Sequence, residues 1–447
     1  MESVYFLSLG CDKNLTDSEA MLGLLRQAGY SFTDDPAGAD VIIVNTCAFI
    51  GDAKQESIGA ILDLARQKQE GKCRALLAAG CLAERYKDEI LRELPELDAV
   101  VGTASYPHIA EAVGAVLRGH PKSLQFFDDV NALPAVRERI LTTGGYYAYL
   151  KIAEGCDKYC TYCAIPFARG HYRSYPMEYL LEQAETLARG GVRELILVAQ
   201  ETTLYGTDLY GRKALPDLIR RLEKIEGIRW IRLLYGYPEE LTGELIDLMA
   251  VSGKLCHYLD LPIQHAADSV LKRMGRKTDQ QELRERIAAL REKIPDIVLR
   301  TTLMTGFPGE TEEEHEENLR FIEEIRFDRL GVFCYSREEG TAAYRMKGQI
   351  PKRVKEKRRK ELMLRQQKIA FEKAKEMIGR RLEVMVEGRI AEENVYVART
   401  AGDAPEVDGF LFFEDTREWE SGAFLTVRVT GAKGYDLLGE RISESAE

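Results

Sequence analysis

The feature that most constrains the fold is a rhythm of short apolar runs and amphipathic stretches that starts twice. Up to about residue 125 the apolar runs are 4–9, 41–45, 76–79 and 99–101, and amphipathic stretches such as 18–28, 53–69 and 84–93 lie between them. Strand-length runs that alternate with helices pair in parallel, because a parallel crossover needs a dozen or more residues and is usually a helix. This part of the chain predicts a parallel α/β sheet. Asp17-Ser18 offers N-cap oxygens for the first helix, and Gly29 fits its C-terminal end. Residues 119–145, with Gly119-His120-Pro121, Pro134 and Thr142-Thr143-Gly144-Gly145, predict a linker.

From about residue 147 the rhythm begins again. Strands are predicted at 147–152, 195–199, 230–235, 257–261, 298–304 and 330–333, with helical patterns including 177–189, 215–224, 241–251, 280–293 and 312–325. Six β/α units fall short of the eight units and ~250 residues of a complete barrel, so an open six-unit barrel is expected. Residues 352–375 form one basic helical run, with 11 Lys or Arg against 3 Glu, and read as a solvated linker helix. Beyond it, strands at 382–386, 395–400, 410–413, 424–429 and 435–438 predict a small OB-like β-barrel. This end carries 8 Lys or Arg and 16 Asp or Glu. The domains are drawn at 1–120, 142–372 and 375–442.

Composition narrows the class. A chain of 447 residues is too long for one ordinary core, and 45% hydrophobic with 30% charged residues fits a globular rather than a disordered protein. No apolar run approaches the ~18 residues of a membrane span, and Met1-Glu2-Ser3 lacks the basic start of a signal peptide. The chain is therefore expected in the cytoplasm, away from membranes. A net charge of −11 argues against general nucleic-acid binding, while allowing a local basic patch. Nine cysteines in a reducing compartment predict metal ligands or reactive thiols rather than disulfides.

The cysteines fall into sets. Cys156, Cys160 and Cys163, spaced C-x3-C-x2-C, follow the first barrel strand, where barrels place active sites. Complete zinc and iron–sulfur sites usually take four ligands, and no fourth cysteine is near. Three thiolates on a four-iron cube leave one iron open to bind something else; a zinc knot completed by His171 is the alternative. Cys11, Cys47 and Cys81 each lie just beyond the carboxyl end of a predicted strand. Parallel strands bring those ends to one edge of the sheet, where open α/β sheets bind ligands, so the same argument predicts a second cluster. The alternative is three buried small hydrophobes. Cys73, Cys256 and Cys334 share no edge with either set and read as structural.

Cys156, Cys160, Cys163 and the strand before them resemble the radical S-adenosylmethionine (SAM) superfamily. The resemblance implies a 4Fe-4S cluster whose open iron chelates the amine and carboxylate of SAM, and whose electron cleaves SAM to methionine and a 5′-deoxyadenosyl radical. It sets Tyr162 near the adenine. Gln200 and Glu201, at the end of the second barrel strand, match the position that binds the methionine end. Gly306-Phe307-Pro308-Gly309-Glu310 resembles a SAM-contacting segment, with a plain helix-capping turn as the alternative.

Two clusters, a barrel and a small terminal β-domain together resemble the methylthiotransferases across nearly the whole chain. The resemblance implies an N-terminal methylthiotransferase domain with the auxiliary cluster, a radical SAM barrel and a TRAM domain. It also implies two 4Fe-4S clusters with SAM as cofactors, and a reductant such as a flavodoxin or ferredoxin. One branch of this family modifies adenosine in transfer RNA; the other modifies the β-carbon of an aspartate in small-subunit ribosomal protein twelve. Ser8-Leu9-Gly10-Cys11-Asp12-Lys13-Asn14, Asn45-Thr46-Cys47-Ala48-Phe49-Ile50, Val198-Ala199-Gln200-Glu201-Thr202-Thr203-Leu204-Tyr205-Gly206 and Asp260-Leu261-Pro262-Ile263-Gln264-His265 resemble the ribosomal-protein branch. The transfer-RNA branch typically has Gln-Met-Asn after its first cysteine; Glu201 is a small departure, since aspartate is commoner there. Charge favours the same branch, because an RNA-gripping TRAM domain should be basic and an acidic one suits a basic ribosomal protein. The basic run 352–375 is the counter-argument, through RNA or ribosome contact. A non-catalytic iron–sulfur redox sensor and an RNA-binding scaffold are the readings from other classes. Arg169, Arg173, Arg273 and Arg276 are family-like without a role, and His265 reads as a hydrogen-bonded residue at the barrel mouth.

Overall fold

The computed structural model describes residues 2–119, 123–391 and 393–442. Its first sheet contains β1 (Ser3–Ser8), β2 (Ser31–Phe32), β3 (Val41–Thr46), β4 (Ala75–Gly80), β5 (Ala99–Val101) and β6 (Leu124–Phe126), in the order β2-β1-β3-β4-β5-β6. Every neighbouring pair is parallel, as the alternation predicts. β3 and β4 are buried along their length, which is why they read as unbroken apolar runs. The edge strands β2 and β6 are too short to carry a pattern. Because β6 lies inside the stretch read as a linker, the sheet runs past residue 120 to Phe126. Of the linker signals, His120 and Pro121 lie outside the described residues.

The first helix, Asp12–Gln27, starts directly after Cys11, whose extended backbone occupies the N-cap. Asp17 and Ser18 therefore do not cap it. They are buried within it because their side chains are used in tertiary contacts: Asp17 with Arg169, Ser18 with Asn45. Gly29 follows the helix, its N–H donating to the Arg26 carbonyl.

The second sheet begins with β7 (Tyr147–Lys151), followed by a two-stranded ribbon of β8 (Ala153–Glu154) and β9 (Arg173–Ser174). It continues through β10 (Glu194–Val198), β11 (Trp230–Leu233), β12 (Leu255–Asp260), β13 (Val298–Thr305) and β14 (Arg329–Cys334). The order β14-β13-β12-β11-β10-β7 is consecutive and all parallel, the open six-unit barrel that was expected. Helices Met177–Arg189, Leu215–Leu222, Gly243–Val251, Gln280–Lys293 and Glu312–Ile325 bury their apolar faces against its outside.

The basic run is helix Lys352–Glu376, and it is no solvated linker. It lies along β14 and the helix Glu312–Ile325, burying Arg358, Leu362, Gln366, Ile369 and Ala370. Counting its charges alone missed what faces them: the helix Glu312–Ile325 carries seven glutamates. Arg358 pairs with Glu312 at 3.0 Å, Arg365 with Glu323, and Lys373 with Asp328 at 2.7 Å.

The last sheet is a closed barrel of β15 (Arg381–Ile390), β16 (Val395–Thr400), β17 (Leu411–Glu414), β18 (Phe424–Lys433) and β19 (Asp436–Arg441). It closes one end of the open barrel. Met385, Ala404 and Phe424 pack with Tyr147, Ile196, Trp230, Cys256 and Tyr258. Glu194, at the start of β10, accepts from both Arg232 and Arg399 at 2.7 Å, and all three are fully buried. Among the described residues no helix is long and apolar enough to cross a membrane.

Candidate functional site

The strand ends of the first sheet come together as predicted. The registers Ser8↔Asn45 and Thr46↔Gly80 put the carboxyl ends of β1, β3 and β4 on one edge, and Cys11, Cys47 and Cys81 stand just past them. Their thiols interact. Burial, then the neighbouring Cys81 and Cys11, push the Cys47 thiol up to about 12. Burial raises Cys81 too, with Cys11 adding to the effect while Arg169 opposes it. A Cβ on Gly10 would lie 2.8 Å from the Cys47 Cβ, so glycine there lets the first loop press against the second cysteine.

Cys156, Cys160 and Cys163 occupy the loop after β8. The Cys156 N–H donates to the Gly170 carbonyl, and the Cys163 N–H to that of Cys160. Burial pushes the Cys156 thiol up to about 12, with Cys160 and Glu201 contributing, and raises Cys163 beside Cys160 and Cys156. Cys47 and Cys81 in one triad, and Cys156 and Cys163 in the other, are thus sulfur donors whose burial and neighbouring thiols hold off ionisation until a positive group arrives. Among the described residues no three His, Cys, Asp or Glu side chains are grouped to hold a single metal ion. Three thiols with no fourth side chain fit a polynuclear iron–sulfur cluster with an open corner, whose larger body spaces its ligands more widely. His171, the candidate fourth zinc ligand, is exposed and hydrogen-bonded to Asp157 at 2.8 Å and Tyr159 at 3.2 Å. All nine cysteines are free; Cys73 and Cys256 are buried, and Cys334 ends β14.

The mouth of the barrel holds the other predicted residues. Glu201 is fully buried: its Oε1 accepts from the Thr203 N–H at 3.0 Å, its Oε2 has no partner among the described residues, and burial pushes its carboxyl up to about 8. Gln200 donates to Glu154 at 3.3 Å and leaves its own Oε1 unpartnered. Two orphaned buried oxygens just past the end of β10 suit a ligand with an ammonium group. Tyr162 packs against the cluster that holds Met274, Phe307 and Tyr335, the cluster to which the Gly306 segment contributes Phe307. That segment is a turn braced by Glu310, whose Oε2 accepts from the Gly306 and Phe307 N–H groups, and Gly309 lies in the same turn. His265 is buried, its Nδ1 bonded to the Ala267 N–H, as expected. Arg273 pairs with Glu314; Arg173 donates to the carbonyls of Val130 and Ala132, sewing the irregular connection to the barrel.

Sequence reasoning missed Tyr237 and Lys158. The Tyr237 hydroxyl is 3.9 Å from the Cys160 sulfur, and the Lys158 ammonium and the Arg276 guanidinium lie over its ring at 4.9 and 4.2 Å. Tyr237 follows the third barrel strand as Gln200 follows the second, so the strand-end argument already in use would have found it.

The chain matches three family descriptions: Uncharacterized protein family UPF0004 over residues 3–102, Radical SAM superfamily over 150–322 and TRAM domain over 378–442. It is 57% identical to "Ribosomal protein uS12 methylthiotransferase RimO" of Lachnoclostridium phytofermentans, over 98% of this chain and 99% of that one. It is 51% identical to the protein of the same name from Pelotomaculum thermopropionicum, over 98% of each. The chain belongs to the RimO family. The alignments with these RimO relatives include helix Lys352–Glu376, which lies between the spans that the family descriptions match. Among solved structures, the radical SAM methyltransferase TsrM from Kitasatospora setae superposes with a TM-score of 0.54 at 13% identity, covering 74% of this chain and 73% of that one. The cobalamin-dependent radical SAM enzyme OxsB gives 0.51 at 13% identity, over 77% and 54%. At that identity the likeness is one of fold.

Proposed function

We propose that this chain transfers a methylthio group to the β-carbon of an aspartate in ribosomal protein uS12. The observation that carries the reading is the pair of three-thiol sets, each at the carboxyl edge of a parallel sheet and each short of a fourth ligand. In this reading Cys156, Cys160 and Cys163 hold the cluster that binds SAM, and Cys11, Cys47 and Cys81 hold an auxiliary cluster. When bound, these groups would supply a SAM-derived radical that takes the β-hydrogen and a sulfur for the resulting carbon radical, and a second SAM would supply the methyl.

The chain's own residues bind and orient. The free Oε2 of Glu201 and the free Oε1 of Gln200 receive the ammonium end of SAM. Tyr162 and Phe307 offer an apolar wall for its adenine, and the Gly306 and Gly309 turn lets backbone approach it. Hydrogen abstraction needs no side-chain base, which agrees with the absence of a paired-acid or Ser/His motif in the sequence. The domain division at 1–120, 142–372 and 375–442, with the first sheet reaching Phe126, assigns sulfur supply to the first domain, radical generation to the second and docking to the third. The protein works in the cytoplasm with an electron donor such as a flavodoxin or ferredoxin. The acidic TRAM domain docks the basic substrate protein. Glu393, Glu414 and Glu420 on it are exposed, whereas Asp403 and Glu387 are engaged by Arg329 and Arg399.

The test offers anaerobically reconstituted enzyme, SAM, sulfide and a strong reductant both uS12 and unmodified transfer RNA, with mass spectrometry as the readout. A methylthio gain on the protein alone is expected; a gain on transfer RNA alone overturns the substrate and leaves the cluster chemistry standing. Reversing Glu393, Glu414 and Glu420 to lysine should weaken modification and flatten its dependence on salt; unchanged turnover overturns the docking role.

A further inference from the structure

Arg169 lies six residues beyond Cys163, yet its contacts lead to the other triad. Its Nη2 donates to Asn14 Oδ1 at 2.5 Å, and the Cys81 thiol faces that same oxygen at 3.6 Å. The orientation of the Asn14 amide is fixed by its Nδ2, which donates to the carbonyls of Leu9 at 3.0 Å and Thr46 at 2.8 Å. The Nη1 of Arg169 donates to Asp17 at 2.7 Å and to Glu154 at 3.1 Å. Glu154 stands two residues before Cys156, and its other oxygen accepts from Gln200. The Lys151 ammonium joins the Asp17 and Glu154 carboxylates from the other side. All five side chains are buried.

Two cations and two carboxylates balance in formal charge, but they are not arranged evenly. Of the two cations, Arg169 is the one bonded to Asn14 beside Cys81, and Asp17 and Glu154 anchor its Nη1. A neutral staple between domains would need no such polarity, since burying four charges against a hydrophobic alternative is at best neutral for stability.

We propose that Arg169 is a positioning residue for the auxiliary centre. It turns its positive face toward the thiolates of Cys11, Cys47 and Cys81, and so raises the reduction potential of the group they hold. The inference rests on the reading that these three cysteines carry a 4Fe-4S cluster. Reduction adds a negative charge to such a cluster, and a fixed cation in a low-dielectric seam favours the reduced form. The signs follow. Removing the cation lowers the potential; removing the carboxylate that offsets it raises the potential.

The test uses the full-length chain with Cys156, Cys160 and Cys163 replaced by alanine, loaded anaerobically with iron and sulfide, so that one centre remains. Iron and sulfide are counted, and the midpoint potential is read by electron paramagnetic resonance during a dithionite titration. Arg169→Met should lower the midpoint, Asp17→Asn should raise it, and Arg169→Lys, which keeps the charge without the planar fork, should fall between Arg169→Met and the parent. If Arg169→Met does not load, the Asp17→Asn and Arg169→Lys shifts still carry the opposite signs. Midpoints equal to the parent's, or moved in one direction by both charge changes, overturn the inference alone. A parent that takes up no iron and sulfide overturns the auxiliary-cluster reading, and this inference with it.

Discussion

Gly155 precedes Cys156 with φ at +75°, and a Cβ there would lie 2.0 Å from the His171 carbonyl oxygen and 2.5 Å from that of Gly170. Both obstacles are backbone, so no rotamer change relieves them. Gly155→Ala should therefore displace the cysteine loop at a cost of about 3 kcal/mol or more, read as a lower urea midpoint and as lost iron uptake by the Cys156 triad. Gly59, inside the helix Gly51–Ala65 with open space around it, is the control: its alanine variant should be unchanged or more stable by about 0.5–1 kcal/mol.

At the scale of elements, Leu362 is fully buried on the inner face of helix Lys352–Glu376. Leu362→Ala should cost about 2–4 kcal/mol in equilibrium unfolding, whereas a solvated linker would lose almost nothing. This helix also marks where the sequence stopped being legible. Its existence and extent could be read from residues 352–375, but its partner could not, because complementarity to the glutamates of Glu312–Ile325 is a relation between elements. β7, β10 and β11 are buried along their length and β13 alternates buried with half-buried residues, both patterns that a sequence displays, and the two triads were legible because parallel strands leave one geometric option for their ends. β6 was hidden because Leu-Gln-Phe is only partly buried at the sheet edge, whereas the equally short β5 is fully buried and wholly apolar. The first helix was misplaced because Asp17 and Ser18 have the chemistry of a cap, and only the fold reveals that a buried Arg169 and Asn45 claim them first. Tyr237 was readable and overlooked.

Over the whole molecule, the N-terminal sheet is fastened to the barrel a second time through Glu338. Its carboxylate, almost wholly buried, takes Lys54 and Arg85 of the N-terminal domain, each at 2.8 Å. Burial opposes its ionisation, and Lys54, Ser336 and Arg85 more than offset that, holding it below the usual carboxylate range. A depressed folded pKa means that this stabilisation is complete above the unfolded value of about 4.3 and is lost as pH falls through the lower folded one. Hydrogen-exchange protection in helix Gly51–Ala65, referred to the intrinsic rate at each pH, should thus hold at neutral pH and fall below about pH 4. Glu338→Gln should bring faster exchange to neutral pH, with a loss of about 3 kcal/mol from two stranded cations, and should remove this component of the acid response.

The junction of Glu194, Arg232 and Arg399 has a practical corollary for dissecting the protein. Glu194 and Arg232 belong to the barrel, and Arg399 comes from β16, more than 160 positions later in the chain. A shortened gene ending near residue 376 would leave Arg232 and Glu194 at an uncovered floor, with Tyr147, Trp230 and Tyr258 newly wetted. Loss of turnover by such a fragment would report a damaged scaffold, and would be mistaken for evidence about recognition. Surface charge swaps are the cleaner scalpel here, because the terminal barrel is a keystone as well as a module.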